Sequence, residues 1–79
     1  MGLADKKAVL AQRMGRFLKA ELKRADVTYD ELARRLTEHG LNETRDSIAS
    51  KLKRGTFAAT FFIACLAALE MEGVRLEDI

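Results

Sequence analysis

The sequence predicts an all-α fold of four or five short helices. It contains no proline, and no stretch alternates apolar and polar residues as a half-buried strand does. The helix-favouring residues Ala, Leu, Glu, Lys and Arg dominate its composition. Apolar residues make up 48% of the 79 residues, which is enough for one core. We therefore expect a single domain over residues 1–79.

The first predicted helix spans about residues 5–25. Its apolar residues recur at three- and four-residue spacing and form one stripe: Leu10, Met14, Phe17, Leu18, Leu22 and Ala25. Gly15 interrupts this helix at a cost of about 1 kcal/mol relative to alanine. Either Gly15 admits another helix to close contact, or it is a tolerated weakness.

The second predicted helix begins after Thr28 and ends near Gly40. "TYDE" matches a capping box, in which the Thr28 hydroxyl accepts from the Glu31 amide and the Glu31 side chain bonds back to the Thr28 amide. Gly40 suits a left-handed C-terminal cap. The apolar face of this helix consists of Tyr29, Leu32, Ala33 and Leu36.

The third predicted helix is anchored by few apolar side chains. Only Ile48 and Leu52 are large and apolar, and they lie one turn apart. Thr44 is the expected N-cap, with Asn42 as the alternative. Gly55 ends the helix after Lys53 and Arg54, whose positive charges suit the negative end of a helix dipole. Most of this helix should therefore face water or a partner.

The fourth predicted helix, at about residues 58–70, is apolar nearly all round. Its large apolar residues are Phe61, Phe62, Ile63, Cys65, Leu66 and Leu69. Such a helix is either the centre of the core or is shared with a second subunit. "GVRLEDI" then closes the chain as a last short turn or helix.

Charge segregates along the chain. Residues 6–54 carry 13 Lys and Arg against 7 Asp and Glu, whereas residues 55–79 carry 1 against 4. The basic part favours a polyanionic partner, and the alternative is that these cations only solvate helix surfaces. The longest apolar run, residues 57–69, is about half of what a bilayer crossing needs, so we expect no membrane insertion.

Catalysis and cofactor binding have little support in the sequence. The single cysteine, Cys65, excludes an intramolecular disulfide, and without a signal-peptide pattern the cytoplasm is the expected location. His39 suits a capping role at a helix end, and Cys65 among apolar neighbours suits an inert thiol. No metal-ligand set, glycine-rich phosphate loop or nucleophile motif is present. We expect no enzyme activity, no cofactor and no small-molecule ligand.

The order of these elements resembles the Cro and λ-repressor-like (Xre-type) helix-turn-helix family. "VTYDELARRLTEHGL" resembles the first motif helix, "SIASKLKRGTF" the second, and "CLAALEMEGVRL" the closing pattern, so that the similarity covers about residues 22–77. The resemblance implies a compact λ-repressor-like domain of four to five helices with its helix-turn-helix at about 28–54. The chain departs from the family by about two extra residues between Gly40 and Ile48, and by one before Gly55. It is closer still to short bacterial domains of unknown function that share the "VTY-ELA-RL" and "KL-RGTF" features, and these bring no known activity.

The resemblance also implies two classes of DNA contact. The opening turn and outer face of the second motif helix would contact bases, through Arg45, Asp46, Ala49 and Ser50. The start of the first motif helix, the end of the second and the following loop would contact phosphates, through Thr28, Tyr29, Lys53, Arg54 and Thr56.

Helix geometry is compatible with these base contacts. At about 100° per residue, Ile48 and Leu52 point one way and Asp46 and Ser50 nearly opposite. Small side chains at Ala49 and Ser50 would let this face approach a major groove about 12 Å wide.

Several of these residues have a second interpretation. Arg45 can pair with guanine, or it is simply solvated or ion-paired. Asp46 can accept from cytosine N4, or it stabilises the start of the helix dipole. Partial burial of Tyr29 with an exposed hydroxyl is compatible with a phosphate contact. Arg34 and Arg35 are expected to be solvated.

Two hypotheses follow from these observations. The first is a small DNA-binding transcriptional regulator that acts on double-stranded DNA as a homodimer, through helix four with Val9 and Leu10 of helix one. The second is a helical protein-interaction module that keeps the fold without sequence-specific DNA binding. The arrangement of four cations distinguishes the two hypotheses: Lys23, Arg45, Lys53 and Arg54. If they form one continuous basic face, the first hypothesis is favoured. If they are scattered or paired with acids, the second is favoured.

Overall fold

Four α-helices and one short 3-10 helix make up the computed structural model, which describes residues 6–79. Their bounds are α1 Lys7–Ala25, α2 Tyr29–Thr37, α3 Arg45–Arg54, α4 Ala59–Ala68 and a 3-10 helix Leu76–Asp78. Residues 6–79 contain no strand, so the all-α prediction is confirmed. The predicted start of the first helix at residue 5 lies outside the described residues. None of the helices described is both long and apolar enough to cross a membrane.

Thr28 caps α2, but only half of the predicted capping box forms. The Thr28 hydroxyl accepts from the Glu31 amide at 3.1 Å. The Glu31 carboxylate does not bond back to Thr28, because it accepts hydrogen bonds from Arg34 and Arg35 instead. The helix start predicted from "TYDE" is therefore correct, and the role predicted for the Glu31 side chain is wrong.

Thr44 caps α3 with a reciprocal pair of hydrogen bonds. Its hydroxyl accepts from the Ser47 amide at 3.1 Å, and the Ser47 hydroxyl accepts from the Thr44 amide at 2.9 Å. Thr44, and not Asn42, is thus the N-cap. Because an N-cap hydroxyl contributes about 1 kcal/mol, the start of α3 is well determined locally.

Both predicted glycine caps adopt left-handed backbone. Gly40 has a φ of 80° and Gly55 a φ of 71°. After Gly40 the Leu41 amide donates to the Leu36 carbonyl at 3.0 Å, which satisfies a carbonyl left open at the end of α2. Asp26 ends α1 in the same left-handed region, with a φ of 58°.

Helix α4 is shorter than the predicted 58–70. It ends at Ala68, and the Glu70 backbone is left-handed with a φ of 59°. The Met71 amide then donates to the Leu66 carbonyl at 2.9 Å, which closes the helix with a reversal of the chain. The predicted helix was too long at this end because residues 69–70 favour helix and no glycine marks the true end.

Helices α3 and α2 together join the other two helices. Helix α3 packs against both α1 and α2, and α4 packs against α2. Ile48 is fully buried and Leu52 is 2% exposed, so both of its large apolar side chains lie inside the core. Burying each contributes roughly 1.5–3 kcal/mol. The other buried core residues are Phe17, Leu18, Leu22, Val27, Leu32, Leu36, Phe61, Ala64, Cys65 and Ala68.

Most of the apolar surface of α4 faces the core of its own chain. Phe61 and Cys65 are 2% and 1% exposed, and the Phe61 ring lies 5.1 Å from that of Phe57. Phe62 packs on Phe17 of α1 with ring centroids 6.4 Å apart. Ile63 differs, because 62% of it is exposed. The surface that α4 offers to a partner is thus narrower than its sequence suggests.

Two glycines bring α1 and α3 into backbone contact. A Cβ atom added to Gly15 would collide with the Leu52 carbonyl oxygen, and one added to Gly55 would collide with the backbone of Ala11. The interpretation of Gly15 as a close-packing residue is therefore confirmed. Each glycine lies on one of the two helix segments and faces the backbone of the other.

Substituting Gly55 should separate the effect of this contact from that of the backbone conformation. Gly55→Ala suffers both the positive φ and the collision with Ala11, for an expected loss of about 2–5 kcal/mol. Gly40→Ala is the matched control, since it has a positive φ but no atom within 4 Å of an added Cβ, and should lose about 1–2 kcal/mol. Urea unfolding of both variants gives the two losses. Equal losses would show that the α1–α3 contact is not tight.

Candidate nucleic-acid interface

Helix α3 presents an outer face of small and charged side chains. Ile48 and Leu52 are buried on its inner side, whereas Asp46 and Ser50 are exposed on the outer side. Ala49, between them, is partly buried. The predicted division of this helix into an anchoring face and a free face is confirmed, and the free face carries no large apolar side chain.

The start of this face lies beside the start of α2. The Arg45 Nη1 atom is 3.9 Å from the Asp30 Oδ2 atom, and the two side chains are 67% and 72% exposed. An exposed ion pair at this distance contributes little, so the guanidinium is free to find other partners. Asp46 follows at once, and this end of α3 therefore carries one cation against two carboxylates.

Thr28 and Tyr29 lie at the same end of the molecule. The Thr28 hydroxyl is exposed, and it serves as the cap of α2. Tyr29 is partly buried and packs against the core, as predicted. Both residues share the end that carries Arg45.

The other end of α3 forms a groove with α1. This open groove, of about 470 Å³, is lined by Ala8, Gln12, Arg16, Lys19, Leu52, Lys53 and Arg54. Four of these residues are cations and none carries a carboxylate. We name it the basic groove. Sequence reasoning identified Lys53 and Arg54 but missed Arg16 and Lys19, although both lie on the side of α1 opposite its apolar stripe.

The structure does not place all of the predicted phosphate contacts together. Thr56 lines a separate, mostly apolar depression with Leu10 and Met14 of α1. Lys23 does not line the basic groove, and Arg45 is paired with Asp30. The basic surface is therefore built from α1 and the end of α3, and it is not the predicted set of Lys23, Arg45, Lys53 and Arg54.

A partly buried ion pair fixes α3 against the loop before it. The Lys51 Nζ atom lies 2.8 and 2.9 Å from the two carboxylate oxygens of Glu43, and the Ser47 hydroxyl donates to Glu43 at 2.6 Å. The same Lys51 Nζ lies 5.3 Å from the centroid of the Phe61 ring, which favours a cation. Lys51 is therefore occupied within the fold and is not available to a phosphate.

The charge state of Glu43 follows from these contacts. Burial alone would raise the pKa of Glu43, but the hydrogen bonds from Lys51 and Ser47 and the charge of Lys51 outweigh it, so that the pKa lies below its ordinary 4.5. Glu43 is thus ionised at neutral pH. The sequence gives no local indication of this cluster, because Glu43 and Lys51 are eight residues apart.

Arg35 connects α2 to the end of α4. Its Nη1 donates to the Ala68 carbonyl at 2.9 Å, and its Nε donates to Glu31 at 2.8 Å. The prediction of a solvated Arg35 is therefore wrong. Arg34 is exposed as predicted, and it also donates to Glu31. Hydrogen bonds from Arg34 and then Arg35 lower the pKa of Glu31 to about 2.

The two groups with nucleophilic potential lie apart. His39 is exposed just beyond the end of α2. Cys65 is buried, and burial, together with the nearby Glu43 charge, raises the pKa of its thiol to about 12. Within residues 6–79, no three His, Cys, Asp or Glu side chains cluster as metal ligands would.

Stability should fall at acid pH because two carboxylates have lowered pKa values. Glu31 and Glu43 stabilise the fold above their ordinary pKa of 4.5, and this stabilisation is lost as pH falls towards their folded pKa values. The free energy of unfolding should stay level from pH 7 to about 5 and fall between about 4.5 and 2. Urea unfolding across this pH range measures it.

The Glu43→Gln variant tests how much the Glu43–Lys51 ion pair contributes to the free energy of unfolding. It should lose about 1–3 kcal/mol at pH 7, because Lys51 loses a charged hydrogen-bond partner, and its decline with acid should be shallower. Glu72→Gln is the control, since Glu72 is exposed and has no hydrogen bond or ion pair among residues 6–79. An acid decline as steep in Glu43→Gln as in the wild type would contradict this role.

Comparison with known proteins gives a family and no function. A family model described as a domain of unknown function, DUF6471, matches residues 2–74. No curated protein matches the chain, and no solved structure does. The expected kinship with domains of unknown function is confirmed, while the helix-turn-helix relationship stays a prediction. The chain belongs to the DUF6471 family of domains of unknown function.

Proposed function

We propose that the protein binds double-stranded DNA and places the outer face of α3 in the major groove. In this proposal α2 and α3 act as a helix-turn-helix over residues 28–54. One observation carries it: α3 is held from one side only, presents small residues on the other, and ends in two exposed cations without carboxylate partners among residues 6–79. A helix of this kind fits a major groove.

The first turn of α3 supplies the proposed base contacts. Arg45 would leave its weak, exposed pair with Asp30 and bond in bidentate fashion to guanine. Asp46 would accept from cytosine N4 while it also stabilises the start of the helix. Ala49 and Ser50 allow close approach, and the Ser50 hydroxyl can donate to a base while it accepts from Arg54.

Phosphate contacts would flank these bases at both ends of α3. Lys53 and Arg54 extend from the last turn, and Thr56 follows in the loop. At the other end, Thr28 and Tyr29 start α2, where helix amides attract anions. Contacts of this type provide affinity and register without sequence preference.

Sequence-specific control of transcription would require a homodimer. Two copies related by a two-fold axis would bind half-sites about 34 Å apart, which is one turn of DNA. The large apolar residues of 6–79 that are exposed and available for such an interface are Val9 of α1, Ile63 of α4 and Leu76 of the 3-10 helix.

Two observations favour a protein-interaction module instead. Ile63 is a large apolar side chain of α4 that is 62% exposed, and the acid-paired Arg45 with the adjacent Asp46 reduces the positive charge at the start of α3. Such a module would bind a protein through α4 and would have negligible affinity for DNA at physiological salt.

Fluorescence anisotropy with two labelled duplexes tests the main proposal. One duplex comes from the region upstream of the protein's own coding sequence, and the other is a scrambled control. Tighter binding to the first, with a steep salt dependence, is expected. Equal and weak binding to both duplexes would show that the protein binds DNA only nonspecifically, through its positive charge. Absence of binding at low salt would favour the protein-interaction module.

Removing either cation at the end of α3 should weaken DNA binding independently of sequence. Lys53→Ala and Arg54→Ala should each reduce the slope of log K against log salt by about one, because each loses one phosphate contact. Arg75→Ala removes a cation that is paired with Glu77 and serves as the control. Slopes identical to that of the control would remove these residues from the interface.

A negative charge on the outer face of α3 should weaken DNA binding. Ser50→Glu places a carboxylate against the bases and phosphates, and affinity for both duplexes should fall at least tenfold. Thr60→Glu adds the same charge to an exposed position in the first turn of α4 and should bind as the wild type does. Binding of Ser50→Glu at wild-type strength would place the interface elsewhere.

A further inference from the structure

The cations of the basic groove differ from those that form ion pairs elsewhere in residues 6–79. Six cations outside the groove are ion-paired with carboxylates: Arg24, Arg34, Arg35, Arg45, Lys51 and Arg75. By contrast, Arg16, Lys19 and Lys53 in the basic groove have no hydrogen bond or ion pair with any residue in 6–79. Arg54 bonds only to the Ser50 hydroxyl. Within residues 6–79, ion pairs with acids thus neutralise six cations outside the basic groove and none of the four that line it.

Close helix packing creates this concentration of charge. Gly15 and Gly55 let α1 and the end of α3 touch through their backbones. Arg16 and Lys19 of α1 are therefore held beside Lys53 and Arg54 of α3, despite their mutual repulsion. Four cations along one groove produce a positive potential that a polyanion would relieve.

The shape of the groove distinguishes between polyanions. The groove is open, so a long polyanion can pass along it. Arg16 and Lys19 are separated by a rise of about 4.5 Å along α1, so the two cations follow one another along the helix. No aromatic side chain lines the groove, which leaves no surface for stacking an unpaired base. The phosphates of a duplex satisfy these conditions better than single-stranded nucleic acid or a mononucleotide does.

We propose that the basic groove is a sequence-independent site for the sugar-phosphate backbone of double-stranded DNA, with Arg16 and Lys19 of α1 as its new contacts. The identity of the polyanion rests on the DNA binding proposed above. The footprint then extends from α3 onto α1, so that α1 both supports α3 and binds the strand beside it.

The double variant Arg16→Gln/Lys19→Gln tests this site, by anisotropy across a salt series on the two duplexes. Loss of two phosphate contacts should reduce the salt slope by about two and raise Kd roughly 30-fold at 0.15 M salt, equally for both sequences. The control Arg24→Gln/Arg75→Gln makes the same change of net charge at residues that are already acid-paired. All four residues are exposed, and circular dichroism checks that both variants fold.

The possible outcomes separate this site from the base contacts. A reduced slope with the sequence preference intact supports both proposals. A slope equal to that of the control, with sequence preference retained, overturns the α1 site and leaves the α3 proposal standing. A wild type without sequence preference, whose salt slope falls in the double variant, supports the α1 site and overturns the base contacts. Absence of binding to any duplex at low salt overturns both.

Discussion

The backbone contact between α1 and the end of α3 is the constraint on which the rest of the structure depends. Gly15 and Gly55 face the backbone of the opposite segment, and neither can accept a Cβ atom without displacing it. Because α3 also packs on α2, and α2 on α4, the position of α3 relative to α1 is transmitted through the whole core. The same contact brings the cations of two helices to one groove.

Polar contacts add to the apolar packing that positions α3. Only two large apolar side chains of α3, Ile48 and Leu52, lie in the core. The Thr44 cap and the Glu43–Lys51 pair hold α3 from the side, close to the Phe61 ring. The carboxylates that stabilise the helices thereby neutralise particular cations, so the modest net charge of +2 conceals a concentrated basic groove.

What the sequence predicted correctly is local in origin. Caps at Thr28 and Thr44 and left-handed glycines at Gly40 and Gly55 depend on residues three or four positions away, which the sequence displays directly. The Arg35–Ala68 hydrogen bond joins residues 33 positions apart, and the basic groove joins α1 to the end of α3. Such partners are determined by tertiary packing. Sequence periodicity therefore identified the outer face of α3 but not the cations Arg16 and Lys19 of α1 that lie beside its end.

Burial of Cys65 gives this chain an internal reporter of its own opening. With 1% exposure and a thiol pKa of about 12, Cys65 is unreactive in the folded molecule. Alkylation can proceed only through molecules in which α4 has separated from the core, and its rate therefore measures the free energy of that separation. Because α4 packs on α2 and contributes no residue to the basic groove, the labelling rate reports on packing of the core and not on occupancy of the groove.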